Sequence, residues 1–203
     1  MKRILLLSFV LCIAAACAPS GGSDSAALFD DVLASRRSVR NYDPSKTVSE
    51  DDVRAIILAA QDAPSWANTQ TTRYYVAMSK EKADAVRELV GPRNKENIEG
   101  APVLIVSTYV TGQAGFSRSG LVNEIGDGWG AYDNGLSNAY LILKARAMGF
   151  DTLIMGYRDS DSLRALFNIP PEEAVMAVIS LGHRASDPVR PPRKDLEEVA
   201  RFF

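Results

Sequence analysis

Apolar residues recur at helical spacing early in the chain and gather into short continuous runs further on. Leu28, Val32 and Leu33 predict a short first helix ending near Ser35. Val53, Ile56, Ile57 and Ala60 follow at i, i+3, i+4 and i+7, one face of a second helix that Pro64 stops. Ser49 and Asp52 have the spacing of a capping box for it, with Asp in place of the usual Glu or Gln. Tyr74 to Met78 reads as a strand. Lys80 to Val90 reads as an amphipathic helix closed by Gly91 and Pro92. After Pro102, Val103 to Thr108 is a continuous run of the buried-strand kind.

The longest predicted helix is Tyr132 to Met148, with Leu136, Ala139, Tyr140, Leu143 and Ala147 on one face and Gly149 as its stop. Thr152 to Met155 predicts a short strand, and Ser160 stands where it would cap a helix running to Phe167. Ala174 to Leu181 predicts a strand ending in Gly182. A Pro- and Arg-rich stretch, Pro188 to Lys194, precedes a last short helix. The elements mix without regular βαβ spacing and without a phosphate-loop glycine pattern, so the expected class is α+β.

The first residues follow a different pattern. Lys2 and Arg3 precede an apolar run from Ile4 to Ile13, then Ala14, Ala15, Ala16 and Cys17. A basic start, a short apolar run and a small-residue site make a secretory signal peptide. The run is too short for a bilayer core, which takes roughly 20 residues. Ala-Ala-Cys resembles the lipobox of bacterial lipoproteins, although Ala14 replaces the Leu or Val often found there. Residues 1–16 are therefore read as a cleaved signal, Cys17 as the lipidated first residue, and 17–27 as a small, polar tether. Residues 28–203 form the domain. The expected location is the cell envelope, membrane-anchored, with the domain outside the cytoplasm. Lys2-Arg3 is not a twin-arginine pair, so export is expected to precede folding.

This changes the chemistry available. Cys12 leaves with the signal and Cys17 carries lipid, so the mature domain has no thiol for a disulfide, a metal or a nucleophile. His183 is the only histidine; without a second His or a Cys there is no plausible zinc site, and a Ser–His–Asp hydrolase would need His183 as its base and a Gly-x-Ser-x-Gly elbow that the sequence lacks. A histidine after an apolar strand reads as structural. With 46% hydrophobic and 24% charged residues the domain is globular. Loss of Lys2 and Arg3 takes the net charge from −2 to −4, so there is no net basic charge to draw a nucleic acid.

Four segments carry candidate chemistry. Arg36, Arg37, Ser38 and Arg40 crowd three guanidinium groups and a hydroxyl into five residues, and in an extended chain Arg36, Ser38 and Arg40 share a face. Forked, permanently charged donors suit phosphate. Ala63 to Gln70 places Pro64, Ser65, Trp66, Asn68 and Gln70 just beyond a helix, and the amides of Asn and Gln carry the donor and acceptor needed to read a heterocycle edge. Leu153 to Tyr157 is a strand end opening to Gly156, where a flat ligand can approach the backbone. Arg190 and Arg193 add late positive charge. Each segment alone reads equally as a solvated patch or a turn.

Their order resembles the FMN-dependent nitroreductase family. Arg36-Arg37-Ser38-Val39-Arg40-Asn41-Tyr42, the Ala63–Gln70 segment, the long helix into Met148-Gly149-Phe150, the strand into Met155-Gly156-Tyr157, Phe167-Asn168-Ile169-Pro170, and Leu181-Gly182-His183 before the last arginines span nearly the whole domain. The resemblance implies a mostly antiparallel central sheet flanked by helices, in an intertwined homodimer with FMN at the interface. It implies that Arg36, Ser38 and Arg193 hold the FMN phosphate, with Arg190 as a less secure helper. Arg40 matches a position near the ribityl chain and the pyrimidine. Pro64, Ser65 and Trp66 match a stretch that reaches the flavin bound mainly by the other subunit, Asn68 and Gln70 match the Asn-x-Gln of that motif, and Met155 and Gly156 match backbone near flavin N5. Catalysis then needs no acid–base pair, because the cofactor performs the redox step.

The implied activity is ping-pong two-electron reduction of a nitroaromatic, a quinone or a similar conjugated acceptor, with a small-molecule donor, NAD(P)H by resemblance. Outside the cytoplasm that donor is scarce, so a membrane-linked or secreted reductant is an alternative. Three departures stand out: Thr71 where the family usually has proline, a bulky Trp66, and Ile154 with Met155 where some relatives have a carboxylate. They leave a second reading, a flavin-binding envelope lipoprotein without turnover. Gly126 to Gly130 reads as a loop before the long helix, with Trp129 either packed or at the mouth of the site.

Overall fold

The computed structural model describes residues 22–203. The signal segment, Cys17 and the start of the tether lie outside the described residues. Helix α1 runs Gly22–Ser35, and so takes in residues 22–27, which the composition assigns to the tether. Asp24 in its first turn suits the positive end of the helix dipole.

Helix α2, Glu50–Gln61, begins with the capping box read from Ser49 and Asp52: the Ser49 side chain accepts the Asp52 N–H at 3.1 Å, and Asp52 accepts the Ser49 N–H at 3.1 Å. It buries Val53, Ile56 and Ala60. Ser49→Ala is expected to cost about 1 kcal/mol, seen as a melting temperature lower by roughly 3 °C. A short 3-10 turn, Trp66–Asn68, leads into β1, Thr72–Ala77. Helix α3 is Lys80–Arg87, and Pro92 does not close it. Pro92 instead opens a further helix, α4, Pro92–Asn97, with Gly91 at φ 78° before it. Proline's fixed φ suits the first position of a helix, where its missing N–H has no partner to lose.

Strand β2, Val103–Val110, is followed by a small hairpin, β3 Phe116–Ser117 with β4 Gly120–Leu121. The long helix α5 spans Gly128–Ala147, so it starts four residues before Tyr132 and absorbs part of the glycine-rich stretch read as a loop. Strand β5 is Asp151–Met155 and helix α6 Ser160–Phe167. The cap of α6 is Asp159 rather than Ser160, because its carboxylate accepts the Ser162 N–H at 3.0 Å. Strand β6, Glu173–Gly182, and a short α7, Leu196–Val199, complete the chain, and the segment after Ser186 is largely exposed.

The sheet order is β1-β2-β6-β5 with every pairing antiparallel. Alternation along β2 divides the core into two layers. Val103 and Ile105 face α2 and α5, with Ile56, Leu141 and Ile179. Leu104 and Val106 face α3 and α6, with Val86, Leu163 and Val178. The class is α+β with helices on both faces, as expected.

The face of α5 is a correction. Leu136, Ala139, Tyr140, Leu143 and Ala147 are only half-buried or exposed, whereas Asp133, Asn134, Ser137, Asn138, Leu141 and Ala145 point inward. The buried amides are satisfied across the layer. Asn134 Nδ2 donates to the Thr108 carbonyl at 2.9 Å, Ser107 Oγ donates to Asn138 Oδ1 at 3.0 Å, and Tyr74 Oη donates to the same oxygen at 3.1 Å. Polar groups paired in this way are tolerated in a core. The apolar face is left outward.

Candidate functional site

Two separate regions receive the candidate residues. The first lies along β5. After α1 the chain runs extended beside that strand: Ser38 bridges Thr152 in parallel and the Val39 N–H donates to the Thr152 carbonyl at 3.0 Å. Val39 and Tyr42 face the core, and the Tyr42 hydroxyl meets Ser180 Oγ at 2.8 Å in the interior. Ser38 and Arg40 therefore face solvent, with Arg36 half-buried, on the shared face that alternation predicts.

Arg37 turns back instead and donates to the Ala34 and Arg36 carbonyls at 2.5 and 2.7 Å, near the negative end of α1. Its pKa is held below the usual arginine value by desolvation first, then by repulsion from Arg190, Arg184, Arg36 and Arg193. The late arginines are thus within electrostatic reach of Arg37. Among the described residues Arg36, Arg37, Arg190 and Arg193 have no carboxylate partner. Such a cluster is unfavourable by itself and calls for an anion.

Arg184, which the sequence reading passed over, anchors this region. Its Nε donates to Asp151 Oδ2 at 2.8 Å, another nitrogen reaches the Ser35 carbonyl at 3.2 Å, and a third pairs with Asp187 at 2.7 Å. Arg146 donates to Asp151 Oδ1 at 2.9 Å. Burial by itself raises the Asp151 pKa, but the hydrogen bonds from Arg184 and Arg146 outweigh it and hold the carboxyl below the usual range. The same pairing, opposed by desolvation, raises the pKa of Arg184. The only sequence signal was an Asp right after a helix stop and an Arg right after a strand end. His183 is half-buried with its ring 4.9 Å from that of Phe150, and its carbonyl accepts the Asp43 N–H at 2.9 Å, a structural setting.

Met155 and Gly156 end β5. Met155 is 2% exposed, so its side chain belongs to the core and only its backbone reaches the edge. Of the two residues that stand where some relatives have a carboxylate, Met155 therefore does not present its side chain at the edge. Ile154 alone, 43% exposed, faces out there. Arg158 Nη1 donates to the Gly156 carbonyl at 2.7 Å and fixes this turn.

The second region precedes β1, at the opposite edge of the sheet. Ala67, Asn68 and Gln70 have φ of 45°, 57° and 50°, three non-glycine residues in the left-handed region within four positions. Backbone of this kind costs on the order of 1–3 kcal/mol per residue and collects at working sites. It is held by Ser65, whose Oγ accepts the Gln70 N–H at 3.0 Å and whose carbonyl accepts the Asn68 N–H at 3.0 Å. Gln70 Nε2 donates to Asn68 Oδ1 at 3.2 Å, and Pro64, Asn68 and Gln70 are exposed. Asp133 on α5 accepts the Trp66 N–H at 2.8 Å, and burial pushes its carboxyl up while that bond pulls it down. Trp66 packs on Trp129 at 4.8 Å between ring centroids. Thr71 is buried; its carbonyl accepts the Val110 N–H at 3.0 Å and its hydroxyl has no partner.

One row of the sheet runs Tyr75, Val106, Val178, Met155. Three steps of about 4.8 Å put β1 and β5 roughly 14 Å apart, with β2 and β6 between them. The structure thus brings Arg36, Ser38, Arg40, Arg193, Met155 and Gly156 to one edge and Pro64, Ser65, Trp66, Asn68 and Gln70 to the other. Within one chain the two groups do not meet.

The comparisons with known proteins bear on the family and the fold. A Bacillus subtilis protein named provisionally as an NAD(P)H nitroreductase is 24% identical over 202 residues, covering 86% of this chain and 97% of its own. An NAD(P)H-dependent FMN reductase of the same organism is 27% identical over 177 residues, covering 82% and 70%. The crystal structure of a protein from Exiguobacterium sibiricum, named provisionally as a nitroreductase and solved in complex with FMN, shares the fold at a TM-score of 0.76 and 22% identity, covering 86% and 97%. The model of the nitroreductase family matches residues 33–183, and the chain belongs to that family.

Proposed function

We propose that the protein is an FMN-dependent oxidoreductase that reduces a nitroaromatic, a quinone or a related conjugated acceptor by two electrons, after taking them from a small-molecule donor. The observation that carries this reading is the segment of Arg36, Ser38 and Arg40 laid along β5 with its shared face outward, where Arg36 has no carboxylate partner among the described residues and Arg190 and Arg193 are within electrostatic reach of Arg37. Its donor chemistry fits a phosphate monoester dianion. The relatives named for FMN and NAD(P)H support the cofactor and the donor class.

In this reading Arg36, Ser38 and Arg193 hold the FMN phosphate, with Arg190 assisting, and Arg40 lies toward the ribityl chain and the pyrimidine. The backbone at Met155 and Gly156 meets the redox-active edge of the ring, with Arg158 holding the Gly156 carbonyl. Pro64, Ser65, Trp66, Asn68 and Gln70 come from a second copy of the chain, because their own edge of the sheet is too far away. Such a homodimer is supported by the apolar residues on the outward side of α5, with Tyr140 exposed and Leu136 and Leu143 half-buried. FMN supplies two-electron transfer between donor and acceptor, bound in turn. The protein binds, orients and desolvates. Purified protein is expected to retain one FMN per chain and to sediment as a dimer. Colourless protein that takes up no added FMN would refute the reading.

Location is a separate proposal. Residues 1–16 direct export, and a lipid on Cys17 anchors the domain outside the cytoplasm. The pattern Lys2-Arg3, Ile4–Ile13, Ala14-Ala15-Ala16-Cys17 supports it. Cys17→Ser is expected to abolish labelling by a radioactive fatty acid and to release the protein from membranes. Equal labelling of the variant would rule out Cys17 as the acceptor.

A further inference from the structure

Strand β5 runs into a turn, residues 156–159, that is fastened at three points. The Arg158 guanidinium bridges two carbonyls: Nη1 donates to Gly156 at 2.7 Å and Nη2 donates to Val175 on β6. The Asp159 N–H donates to the Leu89 carbonyl at 2.7 Å. The Tyr157 ring lies on Gly91, where an added Cβ would stand 2.5 Å from its Cε1. Gly156 does not need glycine for its conformation, because its φ lies outside the left-handed region. Glycine gives room instead: among the described residues, nothing lies within 4 Å of where its Cβ would project.

Arg158 is also electrically exceptional. It is half-buried, its Nε is buried without a hydrogen-bond partner, and no carboxylate among the described residues pairs with it. Two carbonyl oxygens satisfy its donors without cancelling its charge. Arg184, by contrast, is neutralised by Asp151 and Asp187.

We propose that Arg158 is a positioning residue for the reaction: it fixes the Gly156 backbone against the flavin, and its unpaired charge makes the bound flavin easier to reduce. A hydride equivalent from the donor, two electrons and one proton, leaves the ring one unit of charge more negative. A quinone then takes those two electrons with that proton and a second proton from water. A cation held at the backbone beside the ring edge lowers the energy of the more negative state, and partial burial weakens the screening by water. This inference rests on the oxidoreductase reading, in which the Met155–Gly156 backbone meets the redox-active edge, and it adds the side chain that sets the energy of that edge.

The test compares Arg158→Gln, which removes the charge, with Arg158→Lys, which keeps it, in the full-length protein. Equilibrated anaerobically with a two-electron reference dye, FMN-loaded Arg158→Gln is expected to disfavour the reduced flavin about tenfold, a fall of about 30 mV. Arg158→Lys recovers most of that fall, and both variants keep their FMN affinity because the phosphate contacts are untouched. An unchanged dye equilibrium in Arg158→Gln, or an equal fall in Arg158→Lys, overturns the role of the charge. Arg158→Met, neutral and with an apolar stem, takes the place of the glutamine variant if that does not fold. In cofactor-free protein, amide hydrogen exchange across 156–159 is expected to quicken about tenfold in Arg158→Gln. Unaltered exchange overturns the positioning role independently of the flavin. A protein that binds no FMN would refute the oxidoreductase reading without altering the exchange result, so the two failures are distinguishable.

Discussion

Arg36→Ala is expected to weaken FMN binding about 30-fold, read by titrating flavin fluorescence. A charge-assisted hydrogen bond to phosphate contributes about 1.5–3 kcal/mol, and Arg36 is half-buried, which keeps water from replacing it fully. Arg36→Lys recovers only part of the loss, because an ammonium supplies charge without the forked geometry. Arg193→Ala is expected to act in the same direction and more weakly, since Arg193 lies in an exposed segment and two of its contacts are to the neighbouring Pro191 and Pro192 carbonyls. The loss must shrink as salt rises, because exposed charge is screened over about 10 Å at 0.1 M. Arg36→Ala with unaltered affinity would move the phosphate elsewhere.

The second large effect falls on stability. Asp151→Asn is expected to cost about 3 kcal/mol and to lower the melting temperature by roughly 10 °C. The carboxylate side chain is 2% exposed and pairs with Arg184 and Arg146, which are 18% and 24% exposed. Removing its charge leaves the partly buried Arg146 without its carboxylate partner and Arg184 with only the exposed Asp187. The pH dependence follows from the sign of the shift. The folded pKa of Asp151 lies below its unfolded value, so its stabilisation is complete above the unfolded pKa of about 3.9 and disappears as pH falls through the lower folded value. The gap between wild type and variant should therefore stay constant from pH 7 to about pH 5 and narrow below pH 4. A gap that widened in acid would contradict the pairing. Because Arg184 also holds the Ser35 carbonyl, the variant should bind FMN less well through a loosened 36–40 segment.

The elements most legible in the sequence are those whose burial is uniform along them. Strands β2 and β6 lie under helices on both sides, so they read as unbroken apolar runs, and α2 carries its cap and its stripe in adjacent residues. Helix α5 shows where periodicity misleads. Its apolar residues mark a face that is half-buried or exposed, while Asp133, Asn134 and Asn138 are inside because Trp66, Ser107, Thr108 and Tyr74 supply their partners. Nothing in a one-dimensional pattern names the groups across a layer. The site divides similarly. Arg36, Ser38 and Arg40 were legible because alternation in an extended segment sets their face. That Arg190 and Arg193 return to them, and that Pro64 to Gln70 lies across the sheet, depends on strand order, which local spacing does not encode. Arg184 was overlooked because its role exists only once Asp151, Ser35 and Arg146 are brought together.

The proposed activity is electron transfer through a flavin held by this chain. The direct test is an anaerobic cycle on the FMN-loaded protein, with NADH, NADPH and a membrane-quinol analogue tried as donors and a naphthoquinone as acceptor. At least one donor is expected to bleach the flavin's visible absorbance in proportion to two electrons per FMN, and the quinone to restore it fully. A flavin that binds tightly and is bleached by no donor, or is bleached and never reoxidised by any conjugated acceptor, would contradict it.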